Sequence, residues 1–352
     1  MTTASNNPTV RMVALAACMG ALGCEGEQSG ATFCVVDRDC PHELVCDDGA
    51  CWAGAGSAGM GGSELGQSSE LDAPDGDTGG DLDTDVGPGD GPQPGDDTPE
   101  QPGECNPTLT PEASRCEASE DTIDCAHERS MLDGRLVVWQ TPLGTPPEGG
   151  WPAVVVFQGT GFGPDLTWAG AADMPFGGFN QLRLQAMLLD NGFAVIAPST
   201  EGTAWATNFP AYELSADHRF IPMLLEAIAA GDFGPIDTEH LHATGISSGG
   251  YMTSRMAVTY PGSFRSLAIE SGSYATCSNL ACAIPADLPG DHPPTLFLHG
   301  ENDIAVPITT AEAYHGQLEQ QGVPTRFVRD PNVGHQWLDV APEAVTCWFK
   351  EQ

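Results

Sequence analysis

The chain predicts a doubly wound α/β domain over residues 105–352, a mostly parallel sheet with helices on both faces. Three observations carry this. Short β-branched runs alternate there with amphipathic helical stretches. The run ending at Gly245 passes through a glycine-rich turn directly into a helical stretch. Ahead of residue 105 the composition is unlike that of a packed core, so the alternation is confined to one domain.

At the start, Arg11 is followed by an apolar, small-residue run from Met12 to Gly23 that ends at Cys24. The run is too short to span a bilayer, which takes about 20 apolar residues, and it reads as an export signal over 1–24. Its Ala21-Leu22-Gly23-Cys24 ending resembles a bacterial lipobox, which implies a lipid-anchored protein of the cell envelope with Cys24 as the lipidated residue. Leu15-Ala16-Ala17-Cys18 is a rival match that would leave a stub of apolar sequence behind it. Ordinary signal cleavage nearby with free release is the alternative, and both routes lead out of the cytoplasm.

Residues 25–52 hold Cys34, Cys40, Cys46 and Cys51 with turn sequences between them. Two disulfides can hold so small a module together without a core. Zinc would need closer pairs of the C-x2-C type, and His42 alone does not supply them. Residues 53–104 contain 14 Gly, 6 Pro and 13 acidic residues with no Lys or Arg. They bury too little to offset ordering entropy and predict a disordered acidic linker. Gly54-Ala55-Gly56-Ser57-Ala58-Gly59 fits a dinucleotide fingerprint, but no strand precedes it and no helix follows. Asp81, Asp83 and Asp85 open like a calcium loop, yet Val86 and Pro92 occupy the positions that need Gly and Glu.

The whole chain carries 12 Lys+Arg against 49 Asp+Glu, a net charge of −37. Such a surface repels phosphate backbones and anionic lipids, which excludes nucleic acid and leaves a lipid anchor as the one route to a membrane.

Within 105–352 the expected strands are Arg135 to Gln140, Ala153 to Phe157, Phe193 to Ala197, His240 to Gly245, Ser266 to Ile269, Thr295 to His299 and Thr325 to Val328. Asn180 to Asp190, Asp217 to Ala229, Gly250 to Thr259 and Thr309 to Gln321 read as helices. Six cysteines belong to this domain. Cys277 and Cys282 are expected to pair locally, and Cys105, Cys116, Cys125 and Cys347 leave three connectivities open. His240-Leu241-His242 alternates as a strand with no third ligand nearby, so it reads as structural, and no metal site is expected.

Gly245-Ile246-Ser247-Ser248-Gly249 places G-x-S-x-G at a strand-to-helix turn. Ser247 alone fits the register, because a Ser248 nucleophile would need Gly where Ile246 stands. Ser248 then contributes a backbone N–H at the helix N-terminus, aimed at a developing oxyanion. An acid and a histidine follow in the order Ser, acid, His. Asp303 lies just past the strand ending at His299, with Glu301 as the rival carboxylate. His335 lies in the loop Gly334-His335-Gln336-Trp337.

These residues resemble the α/β-hydrolases, and within them the secreted polyhydroxybutyrate depolymerases and feruloyl esterases. The resemblance spans about Arg135 to Phe349. It rests on Gly245 to Met252, on His299-Gly300-x-x-Asp303-x-x-Val306-Pro307 and on Gly334 to Trp337. It implies a serine esterase acting on polyhydroxyalkanoate-like polyesters or aryl and acyl esters, with Ser247, Asp303 and His335 as triad and no cofactor. The family's early His-Gly oxyanion loop here reads Phe157-Gln158-Gly159-Thr160-Gly161, and Thr160 N–H is the expected second donor. Trp168, Trp205, Phe209, Tyr212, Tyr274 and Trp337 follow strands, and together suggest a groove for an apolar or aromatic acyl group. Two alternatives stay open: a non-catalytic hydrolase-fold surface binding protein, and a peptidase or lipase of the same fold.

Overall fold

The computed structural model describes residues 44–47, 50–53, 105, 107, 114–207, 212–277 and 282–352. Cys24, Cys34, Cys40, Phe209 and the linker past Ala53 lie outside the described residues. The chain divides into two compact units, Met1–Pro88 and Gly89–Gln352. In the first, β1 (Leu44–Asp47) and β2 (Ala50–Ala53) form an antiparallel hairpin in which Cys46 and Cys51 share a register position.

The second unit is built on eight strands: β5 (Glu128–Leu132), β6 (Arg135–Gln140), β7 (Trp151–Phe157), β9 (Ala194–Pro198), β10 (Ile236–Ile246), β11 (Ser266–Glu270), β12 (Thr295–Gly300) and β13 (Thr325–Asp330). Their order is β13-β12-β11-β10-β7-β9-β6-β5. The six from β13 to β9 run parallel, and β6 and β5 add an antiparallel edge. All seven expected strands are present, most of them longer than the β-branched runs that announce them. The hairpin strand β5 was not foreseen, nor was a small antiparallel sheet of β3 (Cys116–Ala118), β4 (Thr122–Cys125) and β8 (Ala169–Ala171).

The four expected helices are α1 (Gly178–Asp190), α2 (Ala216–Ala230), α3 (Ser248–Thr259) and α4 (Ile308–Gln320). A fifth, α5 (Ala341–Glu351), closes the domain. Strand alternation distributes them. Val154 and Val156 of β7 join one core with Leu182, Leu184 and Leu188 of α1 and Val345 and Trp348 of α5. Ala153, Val155 and Phe157 join the opposite core with Phe220, Ile221 and Leu224 of α2 and Met252 and Met256 of α3. Ala311, Tyr314 and Leu318 of α4 cover Ile269 and Phe297. Local capping agrees with this packing: Ser215 Oγ accepts from His218 N at 3.1 Å to start α2, and Gly231 ends it in a left-handed conformation.

The disulfides resolve the open connectivity: Cys105 pairs with Cys347, Cys116 with Cys125, and Cys277 with Cys282. The first joins residues 242 apart and fastens the start of the domain to α5. Replacing Cys105 and Cys347 together by Ala is expected to cost about 2–5 kcal/mol, because the unfolded chain regains a long loop's freedom. Urea unfolding measures this, and an unchanged midpoint would discount the cross-link. None of the described helices is long and apolar enough to cross a membrane.

Candidate active site

The β10–α3 turn is forced by close packing. Gly245 and Gly249 sit where any Cβ would overlap the Phe157 carbonyl of the neighbouring strand. With strand and helix in near contact, the residue between them takes φ 56° and ψ −122°, a conformation side chains other than glycine rarely adopt. That residue is Ser247. Its N–H donates to Glu270 O at 3.1 Å and its carbonyl accepts from Tyr251 N at 3.0 Å, so backbone bonds on two sides hold the strain. Ser247, Ser248 and Thr160 line one cleft of about 190 Å³ with Ala204, Trp205, Thr207 and Tyr251. Ser248 N–H is the first amide of α3 and has no intrahelical acceptor. Thr160 sits in a pinned loop, where Gly161 N donates to Thr203 O at 2.7 Å and Phe162 N to Gly159 O at 3.2 Å.

Asp303 is buried and fully engaged. Its Oδ1 accepts from Ala305 N at 2.9 Å and Val306 N at 2.8 Å, and its Oδ2 accepts from His335 Nδ1 at 2.7 Å. His299 Nε2 lies 3.2 Å from the same Oδ2 and 2.8 Å from Val306 O. Burial by itself would raise the Asp303 pKa. The bonds from His299 and His335, the His335 charge and the Val306 N–H outweigh burial and hold the carboxyl below the usual carboxylate range. The rival Glu301 is exposed. Donation from Nδ1 leaves Nε2 as the basic nitrogen of His335. Among the described residues no hydrogen bond joins Ser247 to His335; such catalytic bonds commonly tighten only as substrate binds.

Glu270 ties the two halves together, and it lies one residue beyond the expected strand Ser266 to Ile269, where nothing in the sequence singled it out. Its backbone carbonyl holds Ser247 N, while its side-chain Oε1 accepts from Leu338 N at 3.3 Å, three residues after His335. Ser271 Oγ donates to Gln336 O at 3.2 Å beside it. Glu270 is fully buried; burial pushes its pKa up, Leu338 N–H opposes this, and the Asp303 charge adds to the rise.

The Gln158 departure from the family loop has a structural basis. Its side chain points inward, accepting from Gln181 Nε2 at 2.7 Å and donating to Thr167 Oγ1 at 3.4 Å, while Trp337 Nε1 donates to Gln181 Oε1 at 3.0 Å. The side chain thus faces a buried network shared with the His335 loop, not the cleft.

The aromatic groove requires correction. Trp168 is 0% and Trp337 1% exposed, both packed in the core around α1, and Tyr274 is buried edge-on to Tyr314. Tyr212 is buried too, its hydroxyl 2.9 Å from Tyr260. Loops following strands fold back over the helices, so position after a strand did not make these rings available. Trp205 is buried as well, edge-on to Phe157 with its Nε1 donating to Gln158 O at 3.1 Å, and it alone of the described set borders the cleft. His240 pairs with Asp237 at 2.8 Å, and buried His242 meets Ser266 Oγ at 2.8 Å. Burial, aided by the His240 and Arg265 charges, lowers His242 to about 3.

A poly(3-hydroxyoctanoate) depolymerase of Pseudomonas fluorescens is 47% identical over 253 residues, covering 67% of this chain and 91% of that protein. Residues 270–346, which include Asp303 and His335, match the prolyl oligopeptidase family. Among solved structures, a sugar hydrolase from Lactococcus lactis superposes with a TM-score of 0.47 at 15% identity, over 64% of this chain and 98% of its own. Est1E from Butyrivibrio proteoclasticus does so at 0.42 and 17%, over 64% and 96%.

Proposed function

The chain belongs to the α/β-hydrolase family of the Pseudomonas poly(3-hydroxyoctanoate) depolymerase, hydrolases of the esterase and depolymerase type, and from that premise we propose that it is a serine polyesterase acting outside the cytoplasm. Its substrate is a polyhydroxyalkanoate-like polyester or a related acyl ester. Ser247 Oγ attacks the ester carbonyl carbon as His335 Nε2 takes its proton. Asp303 orients the ring and stabilises its charged form. The tetrahedral oxyanion accepts from Ser248 N–H and Thr160 N–H, each worth about 3 kcal/mol by comparison with other such donors. Collapse breaks the bond to the leaving oxygen, which receives the proton from His335, and water then releases the acyl group by the same steps in reverse order. No step calls for a cofactor.

The observation that supports this reading most is the strained Ser247 at the start of α3, sharing one cleft with both candidate oxyanion donors. The prolyl oligopeptidase likeness favours a peptidase as second reading. Hydrolysis of p-nitrophenyl esters, soluble polyester oligomers and a prolyl nitroanilide decides between them. Turnover of the anilide alone would displace the ester reading, and failure of a fluorophosphonate to label the protein would favour a non-catalytic binding protein.

Three disulfides suit an oxidising compartment. In this proposal residues 1–24 are the signal with its lipobox, cleavage before Cys24 makes it the lipidated first residue, residues 25–52 form a disulfide module and residues 53–104 are a flexible leash to the catalytic domain at 105–352. Cys24→Ser should shift the protein out of the membrane fraction. Wild type found free in the medium would dismiss the anchor.

A further inference from the structure

Two phenylalanines that no sequence pattern singled out lie in series from His335: Phe176 against its ring, and Phe162 against Phe176. Phe176 has φ 56°, a left-handed conformation that bulky side chains avoid and that persists where surroundings impose it. Those surroundings are the His335 loop. Trp337 N–H donates to Phe176 O at 3.0 Å, and at Gly177, also left-handed, any Cβ would overlap Trp337 O. The Phe176 ring stands edge-on to His335 with centroids 6.4 Å apart, and edge-on to Phe162 at 6.0 Å. Both phenylalanine rings are partly exposed, unlike the buried Trp337 and Tyr274.

Phe162 also lines a second cleft of about 180 Å³, whose other walls are Gly161, Gly163, Ser199, Thr200, Gly202 and Thr203. Its walls begin one residue after Thr160 of the Ser247 cleft. Small side chains with one large apolar ring leave room for a slender apolar group.

Resting on the polyesterase reading, we infer that Phe162 and Phe176 form an apolar subsite for the alkyl branch on the carbon that bears the leaving oxygen. The reason is chemical. His335 must reach the leaving oxygen to protonate it, so the carbon attached to that oxygen, and any branch on it, lies beside the ring that His335 touches. Specificity for the length of the pendant chain is therefore set on the leaving-group side, next to the general acid.

The test uses two ester series. Dimers with a constant 3-hydroxybutyryl acyl unit and either 3-hydroxybutyrate or 3-hydroxyoctanoate as leaving unit vary the branch. p-Nitrophenyl acetate and octanoate vary the acyl chain with a constant leaving group. Phe176→Ala and Phe162→Ala are each expected to lower the octanoate-to-butyrate ratio of kcat/KM in the dimer series by about tenfold, the scale of a few methylenes losing their apolar contact. The p-nitrophenyl ratio stays as in wild type, and Phe176→Leu keeps most of the dimer preference. Phe162→Ala leaves the strained turn untouched, so the subsite is tested even where Phe176→Ala disturbs the fold. Equal losses on both dimers, or a p-nitrophenyl ratio that shifts with the dimer ratio, would overturn the subsite. Wild type active on p-nitrophenyl esters but blind to dimer branch length overturns the subsite alone. Wild type inert toward every ester overturns the polyesterase reading and the subsite with it.

Discussion

Ser247→Ala is expected to lower kcat/KM on p-nitrophenyl esters by about 10⁴- to 10⁶-fold, the range seen when an acyl-transfer nucleophile is removed. The fold should not register the change. Alanine keeps the Cβ that φ 56° already strains, and the lost Oγ takes part in no hydrogen bond among the described residues, so stability should move by no more than about 0.5 kcal/mol. His335→Ala should lose activity on a similar scale with a different stability signature. It strips Asp303 Oδ2 of its 2.7 Å donor inside the protein, and a buried carboxylate deprived of a partner costs about 1–3 kcal/mol. Stopped-assay rates and urea unfolding on both variants distinguish chemistry from folding. Retention of more than about one part in a thousand of the wild-type rate by either would sink the assignment.

How much of this was legible in the chain depends on how local the cause is. The β10–α3 elbow was readable because one constraint, the near contact of strand and helix, imposes glycine at Gly245 and Gly249 and leaves a single register for Ser247. The family motif put Asp303 ahead of Glu301, but the bonds that hold it exist only in three dimensions, where its Oδ1 bonds to Ala305 N and Val306 N and its Oδ2 to His335, while Glu301 is exposed. The i,i+4 spacing of His299 and Asp303 was in the motif, but nothing in the spacing says that His299 also bonds Val306 O. Helix α5 had its signal in Ala341, Val345, Trp348 and Phe349 on one face, and the hairpin strand β5 had its own in the Asp133-Gly134 turn. Trp168 and Trp337 were misjudged for the opposite reason. A tryptophan in a loop is equally compatible with a substrate face and with a core, and the deciding partners, such as Gln181 for Trp337, are far away in the chain. Glu270 and the Gln158 network belong to the same class: polar residues whose value comes entirely from contacts that folding creates.

Asp303→Asn is expected to lower kcat/KM by about 10³- to 10⁴-fold while leaving the backbone in place. The amide must still accept Ala305 N and Val306 N through its oxygen, which turns its NH₂ toward His335. Nδ1 then has to accept, the proton moves to Nε2, and the nitrogen facing the nucleophile is no longer a base. Acid stability gives an independent reading of the same bonds. Because the folded-state pKa of Asp303 is depressed, its ionised form contributes stability above the unfolded carboxylate value of about 3.9. That contribution is lost as pH falls from there through the lower folded-state value. The difference in unfolding free energy between wild type and Asp303→Asn should therefore be fully present at neutral pH and narrow on acidification below about pH 4. Urea unfolding from pH 7 to pH 3 measures it. A variant within tenfold of the wild-type rate, or a stability gap that stays constant into acid, would mean that the carboxylate neither sets the His335 tautomer nor draws its low pKa from the bonds that surround it.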